Sequence, residues 1–306
     1  MASNTATVKW LLEGDPSIRW QVMRDLTGES AEAVAAERAR VACEGWGAEL
    51  IARQTPAGHW SDAQEHGWMT TTDALQLLRD LGADPAGEKV RQAIDRVRDG
   101  IIWYQLDDQP FFDGETEACI NGRILAAGAY FGAPVERLLE RLLGEQLEDG
   151  GWNCEAPGSK RSSFHSTICV LEGLLEYEKT QGASAAVTDA RARAERYLLE
   201  RGMMKSLSSG EVINGRWTSF SFPPVWCYDV LRGLDYLRSA GVKPDERITE
   251  AVAVVQERAH QNGRWPLDGI HADHTDRLAF DVETEVGKAS RWNTLRALRV
   301  LDWSGK

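Results

Sequence analysis

The sequence predicts an all-α fold built from repeated helical hairpins, and three observations predict it. A loop with Gln, then Gly four residues on, then Trp two after that stands at Gln54-Thr-Pro-Ala-Gly58-His-Trp60 and again at Gln146-Leu-Glu-Asp-Gly150-Gly-Trp152. Shorter copies without the Gln stand at Gly215-Arg-Trp217 and Gly263-Arg-Trp265. An apolar segment with a Leu-x-x-Leu step follows each copy, at Leu75–Leu78, Leu171–Leu174, Leu231–Leu234 and Leu295–Leu298. The segment CINGRILAAGAYFG, from Cys119 to Gly132, takes the same place without a Trp loop ahead of it. Apolar residues recur at the helical period, and no run alternates as a half-buried strand would. Such a recurring unit buries its apolar face only by stacking on its neighbours.

In chain order, a short helical stretch at Val8–Leu12 ends at the joint Gly14-Asp-Pro16. Apolar helices with small residues are expected at 17–27, 70–80, 119–130, 165–178, 227–239 and 291–302. Helices rich in Ala, Glu and Arg are expected between them, at 31–53, 87–101, 134–147, 186–202 and 246–260. Gly132-Ala-Pro134 and Gly241-Val-Lys-Pro244 separate two of these pairs, because glycine reaches turn conformations and proline breaks a helix. The connections 103–118, 203–226 and 264–290 exceed simple turns, and in a compact domain such lengths are usually functional or disordered.

Composition narrows the function classes. The formal charge of −12 over 306 residues, with no basic stripe, excludes a nucleic-acid groove and disfavours anionic lipid. Five scattered cysteines do not form a disulfide framework, so a reducing, cytoplasmic setting is expected. The N-terminal MASNTATVKW lacks a basic start followed by an apolar run, so no signal peptide is expected. No apolar stretch approaches the ~20 residues that span a bilayer. Oligomeric state is left open.

The recurring loop resembles the Gln-Trp motif of squalene–hopene cyclases and, more loosely, the Gly-Gly loops of protein prenyltransferase β subunits. The resemblance implies a single α/α-toroid domain over residues 1–306, with about six helical hairpins in two rings around a central cavity. The apolar helices would form the inner ring, and the three long connections would lie at a rim. Ring closure accounts for the likeness between Arg19-Trp-Gln-Val-Met-Arg24-Asp-Leu26 and Arg291-Trp-Asn-Thr-Leu-Arg296-Ala-Leu298, the first and last inner segments. The four loop tryptophans would be structural, whereas Trp68, Trp103, Trp226 and Trp292 would line the cavity.

Six residues before the first Leu of each step, equivalent positions fall on His165 and, counting from Leu125, on Cys119. The stretch from Gly150-Gly-Trp152 to Ser163-Phe-His165-Ser-Thr is similar to the prenyltransferase β-subunit Gly-Gly loop and the helix start after it. There the His ligates zinc together with an Asp-x-Cys pair, which Glu117-Ala-Cys119 would supply here with Glu for Asp. The resemblance therefore implies Glu117, Cys119 and His165 as ligands of a Zn²⁺ ion with an open fourth position. His165 and Cys119 should then approach within about 4–5 Å, with Glu117 on extended chain ahead of its helix. The structural alternative is a hydrogen-bonded helix-start histidine and a small buried thiol. Cys43 and Cys169 read as core, while Cys154 and Cys227 are further candidate ligands.

Tyr228, Asp229 and Arg291 also lie near inner-helix starts and would position substrate or move protons. Asp73, Asn293 and Arg123 share the register of Asp229, and inter-helix ion pairs or caps are the alternative for the whole set. For Arg291 that alternative is a salt bridge to Asp281, Glu283 or Glu285. His271-Ala-Asp273-His274-Thr-Asp276 offers a second metal-ligand string, His59 reads as local packing, and His66 is open. No Asp-x-Asp-Asp motif is present, and Asp107-Asp108-Gln-Pro-Phe111 lacks the last Asp of Asp-Asp-x-x-Asp, although Asp113 follows.

Three functions remain. The first is an enzyme acting on a mainly apolar small molecule, through zinc or a bare acid–base set. The second is an unconventional terpene cyclase or prenyltransferase on an isoprenoid-like substrate, with Asp113 or Asp229 as relocated acid. The third is a non-catalytic lipid- or peptide-binding toroid. Loops set architecture, whereas the missing motifs bear on chemistry.

Overall fold

The computed structural model describes residues 5–61, 67–271, 278, 280 and 282–306. The chain is all-α, apart from one two-stranded ladder among the described residues. It divides into two compact units: Met1–Trp46 with Leu198–Ala272 and Asp281–Lys306, and Gly47–Tyr197 with Asp273–Phe280. Each is built from α/α hairpins, the unit that the repeated loops predict.

The first unit holds α1 (Thr5–Leu12), α2 (Pro16–Val22) running into a wider turn at Met23–Thr27, and α3 (Ala31–Ala39). The expected helix 31–53 is broken at Cys43-Glu44, and α4 (Gly45–Ala52) restarts it. Asp15 explains the break: its carboxylate accepts the Ser17 N–H that caps α2 and the Trp46 N–H across the joint. Gly45 stands at φ +63°, and a Cβ there would fall 1.9 Å from the Asp15 carboxylate, so only glycine closes this corner.

The second unit runs through α5 (Gly67–Leu81), α6 (Glu88–Gly100), β1 (Ile102–Trp103), β2 (Gln109–Pro110), α7 (Ala118–Phe131), α8 (Glu136–Gly144), α9 (Phe164–Gln181) and most of α10 (Ala185–Glu200). Here α7 packs against both α5 and α9. The first unit resumes with α11 (Val230–Ser239), α12 (Thr249–Glu257) and α13 (Arg291–Trp303). The segment expected as helix from 227 starts only at Val230, because the Asp229 carboxylate caps α11 by accepting the Arg232 N–H at 2.7 Å. Within this unit α13 lies against α11 and α2, so the first and last apolar helices are neighbours. Arg299 of α13 pairs with Asp25 and donates to Gln21 at 2.8 Å. Trp292 and Leu295 are buried as expected, whereas Leu298 is only half-buried.

The repeated loops fold alike. The indole N–H of Trp60, Trp152 and Trp265 donates at 2.7 Å to Leu50, Leu142 and Val255, each on the helix before its loop. The Gln54 amide donates to the carbonyls of Gly58 and of Ala93 on α6, both at 2.9 Å. The Gln146 amide does the same toward Gly150 at 2.7 Å and Ala190 of α10 at 2.8 Å. Gly58 and Gly150 take φ near +100°, and a Cβ there would meet the Arg96 or Arg193 carbonyl at 2.5 or 2.7 Å. The spacing thus encodes one device twice: Gln ties loop to helix, Gly permits the approach, and Trp seals the joint. Trp217 differs, sitting in a single tight turn with its ring edge-on to Tyr228.

Of the tryptophans expected to line a cavity, Trp103 is fully buried, donates to the Phe111 carbonyl at 2.9 Å and stacks on that ring. The long connection 103–118 is correspondingly a folded segment, with the β1–β2 ladder and the buried rings of Phe111 and Phe112. Ladder and rings were not apparent in the sequence because two-residue strands carry no period.

Candidate functional site

The second unit gathers ligand-type side chains where α7, α9 and the loop after Trp152 meet. Backbone approach sets the geometry. A Cβ on Gly122 of α7 would lie 2.5 Å from the Cys169 carbonyl carbon of α9, and one on Gly173 of α9 would lie 2.5 Å from the Gly122 carbonyl oxygen. Two glycines therefore let the helices touch along their backbones, and the first turns of both face the same loop. Cys119 occupies the first turn of α7, and His165 and Ser166 the first turn of α9.

Cys154 lies between these turns. Its sulfur accepts the Cys119 N–H at 3.3 Å and lies 3.2 Å from the Ser166 hydroxyl. Its own N–H donates to that hydroxyl oxygen, also at 3.2 Å. Glu117 caps α7 with extended backbone (φ −92°, ψ 125°), and its carboxylate accepts from the Cys119 thiol at 3.6 Å. One carboxylate oxygen and two sulfurs, from Glu117, Cys119 and Cys154, lie within 4.8 Å of one another, the one such ligand group found among the described residues. Cys119 is buried, Cys154 half-buried and Glu117 exposed, so the group has a wet side and a dry side.

Electrostatics separate the thiols. The hydrogen bond with Cys154 pushes the Cys119 thiol up, and burial adds to it. The same bond pulls the Cys154 thiol down against the cost of burial, assisted by Ser166 and the Cys119 N–H. Of the two sulfurs, that of Cys154 is the one favoured to take negative charge, and a helix N-terminus and a hydroxyl both point at it. Nearby, buried Glu115 accepts the Glu117 N–H and the Thr116 hydroxyl, and Arg141 donates to its carbonyl. Asn121 also closes on Glu115, accepting its N–H at 2.7 Å and donating to its carbonyl at 3.0 Å, which fixes the strand that delivers Glu117.

The sequence-derived site residues fall into two groups. Glu117 and Cys119 are in the cluster, with Glu117 on extended chain as expected; the helix starts at Ala118, one residue before Cys119. His165 is the half-buried second residue of α9 and is not a member of the cluster, whose third member is Cys154. The sequence offers Cys154 only as an additional candidate ligand and gives no sign of Ser166 or Glu115. The Gln146 loop places Cys154 two residues after its Trp, and that position is the signal that could have found it.

Tyr228, Asp229 and Arg291 belong to the first unit. The Tyr228 hydroxyl is buried and donates to the Met203 carbonyl at 2.6 Å. Asp229 is buried 3.8 Å from Arg296, and burial pushes its carboxyl up against the pull of Arg296 and the Arg232 N–H. The Arg291 guanidinium lies 4.5 Å over the Trp10 ring and donates to the Trp10 carbonyl at 3.3 Å, while its backbone N–H goes to Glu283 at 2.6 Å. Glu283 therefore meets Arg291 through the backbone of the α13 N-terminus. Asn293 donates to the carbonyls of Phe220 and Pro266, both at 2.9 Å. In the second unit Asp73 forms a buried ion pair with Arg123, which also donates to Gln76. His66, Asp273, His274, Asp276 and Asp281 lie outside the described residues.

No helix among the described residues is long and apolar enough to cross a membrane. No family model matches the chain, and no curated protein matches it by sequence. Solved structures do resemble it. A variant of the type II terpene cyclase MstE from Scytonema, in complex with geranylgeranyl dihydroxybenzoate, aligns at 19% identity and a TM-score of 0.48, over 98% of this chain and 95% of that one. Apo MstE aligns at 17% and 0.45, over 97% and 95%. A protein from Actinoplanes aligns at 17% and 0.46, over 95% and 90%. At these identities and TM-scores the likeness carries no statement about chemistry.

Proposed function

We propose that the chain is an enzyme for a mainly apolar small molecule, with a zinc-type metal centre on Glu117, Cys119 and Cys154. The observation that carries this reading is the convergence of two sulfurs and a carboxylate within 4.8 Å. Ligands of one tetrahedral zinc, at roughly 2.0–2.3 Å from the metal, stand about 3.5–4 Å apart, so the donor set fits with small adjustments. Three protein ligands leave one position open, as catalytic zinc sites do, and a zinc ion held there supplies a Lewis acid that activates a bound thiol, water or carbonyl.

The chain's own residues prepare that site. Ser166 holds Cys154 by backbone and side chain together, so its sulfur keeps one orientation. The Cys119 N–H favours negative charge on that sulfur. Glu115 and Asn121 hold the extended approach to α7, which keeps the Glu117 carboxylate beside Cys119. A reducing compartment, as the scattered cysteines suggest, would keep both thiols competent to bind. The apolar, isoprenoid-like character of the substrate rests on the sequence resemblance alone.

Cobalt(II) titration of the purified, metal-free protein tests the reading. One equivalent should bind and give the sulfur-to-cobalt absorption of two thiolates, which Cys119→Ser and Cys154→Ser each weaken. No saturable uptake by correctly folded protein would remove the metal centre.

A second reading is favoured by Asp229. An acid that protonates an alkene needs its proton held more tightly than an ordinary carboxyl holds it, and burial pushes Asp229 in that direction. Asp113, the other candidate acid, is paired with Arg137 at 2.9 Å. The chain would then be an unconventional cyclase of an isoprenoid-like polyene. Turnover of such a polyene that Asp229→Asn abolishes and chelator leaves intact would establish this reading over the first.

A further inference from the structure

We propose that Cys119 and Cys154 form a reversible disulfide, and that the disulfide and the metal compete for the same two sulfurs. The inference rests on the metal reading for its consequence but on geometry for the bond. The two sulfurs lie within 4.8 Å, and the Cys154 sulfur is already 3.3 Å from the backbone nitrogen of Cys119. A disulfide needs sulfurs about 2.05 Å apart, so rotation of the two side chains with a small loop adjustment is what must close the distance. Cys154 sits on a loop after Trp152, whereas Cys119 is set in α7, so the loop is the part that moves. The other cysteines have no such role: Cys43 is exposed, Cys169 fully buried in α9, and neither it nor Cys227 belongs to the cluster.

Exposure sets the order of events. Cys154 is half-buried and Cys119 buried, so a small disulfide such as oxidised glutathione meets Cys154 first. The Cys154 sulfur attacks one sulfur of the reagent, the reagent S–S bond breaks, and the departing thiolate takes the proton that Cys154 gave up. Cys119 then attacks the Cys154 sulfur of the mixed disulfide, and the second glutathione leaves as a thiol with the Cys119 proton. Two protein thiols are oxidised and one reagent disulfide is reduced to two thiols. The product ties the first turn of α7 to the loop ahead of α9 and removes both sulfur ligands from the metal site. An oxidising shift would thereby switch the centre off, and reduction would restore it.

The test is oxidation of the whole protein with excess oxidised glutathione, with and without one equivalent of zinc, followed by peptide mapping under non-reducing conditions. Metal-free protein should yield a peptide crosslinked through Cys119 and Cys154. Zinc should slow its formation at least tenfold, and dithiothreitol should restore the thiols together with zinc uptake. Cys119→Ser should stop at a glutathione adduct on Cys154, its fold checked by circular dichroism. If zinc binds the reduced protein but oxidation gives only glutathione adducts, the switch is overturned and the metal centre stands. If the crosslink forms at the same rate with zinc, and zinc does not bind, the competition and the metal centre both fall while the disulfide pair survives.

Discussion

Ser166 decides how well the cluster is held, because its one hydroxyl meets both the backbone and the sulfur of Cys154. Ser166→Ala should weaken metal binding by about 10–100-fold, the usual effect of losing a group that orients a ligand. It should also cost about 1–3 kcal/mol of stability, since the Cys154 N–H loses its acceptor. Isothermal titration and thermal melts read the two effects separately, and an unchanged metal affinity would remove Ser166 from the site. Asp229 gives a pH signature. Its folded-state pKa lies above the ordinary 3.8, so its contribution to stability is complete below 3.8 and is lost as pH rises through the folded value. Asn caps a helix as well as Asp does, so the melting temperature of Asp229→Asn relative to the native protein should rise as pH climbs from 3.8 through the folded value. A difference that stays flat with pH would show that Asp229 is not held protonated by burial.

At the scale of elements, α7 and α9 determine whether a cluster exists at all. Gly122→Ala and Gly173→Ala each force a methyl against backbone of the facing helix, where neither side chain nor rotamer can yield. Each should cost about 1–3 kcal/mol by overpacking and separate the first turns that hold Cys119 and Ser166. Denaturant melts check the first effect, and metal affinity the second; a variant as stable as the native protein would contradict the close approach. In the first unit, α13 joins the turn that follows α2 through the Arg299–Asp25 pair. Burial pushes Asp25 up, but Arg24 and Arg299 hold it below the usual 3.8. Its contribution is therefore complete above 3.8 and lost as pH falls through the lower folded value. Burial brings Arg299 down to about 10, so it is charged at neutral pH and Asp25→Asn would remove the carboxylate it pairs with. Such a break costs about 3–5 kcal/mol. Removing residues 291–306 should unfold this unit, since Trp292, Leu295 and Val300 are buried there. A truncated chain that still melts cooperatively would contradict that.

Across the whole chain, helices were legible because their apolar residues recur over ten or more positions, and the repeated loops because Gln, Gly and Trp each have one physical task. The corner at Gly45 was not legible, because it depends on a carboxylate thirty residues earlier in the chain reaching Trp46. The site was half legible. Glu117 and Cys119 came from register and resemblance, but the choice between His165 and Cys154 depends on how a loop enters between two helix starts, which no local spacing records. Whether Glu117, Cys119 and Cys154 hold a metal decides the rest. A crystal structure of the zinc-treated protein, with anomalous data on either side of the zinc edge, tests it most directly. One anomalous peak is expected in the second unit, about 2.3 Å from the sulfurs of Cys119 and Cys154 and about 2.0 Å from a Glu117 oxygen. No peak there, or a peak on His165 that leaves Cys154 unbound, would contradict it.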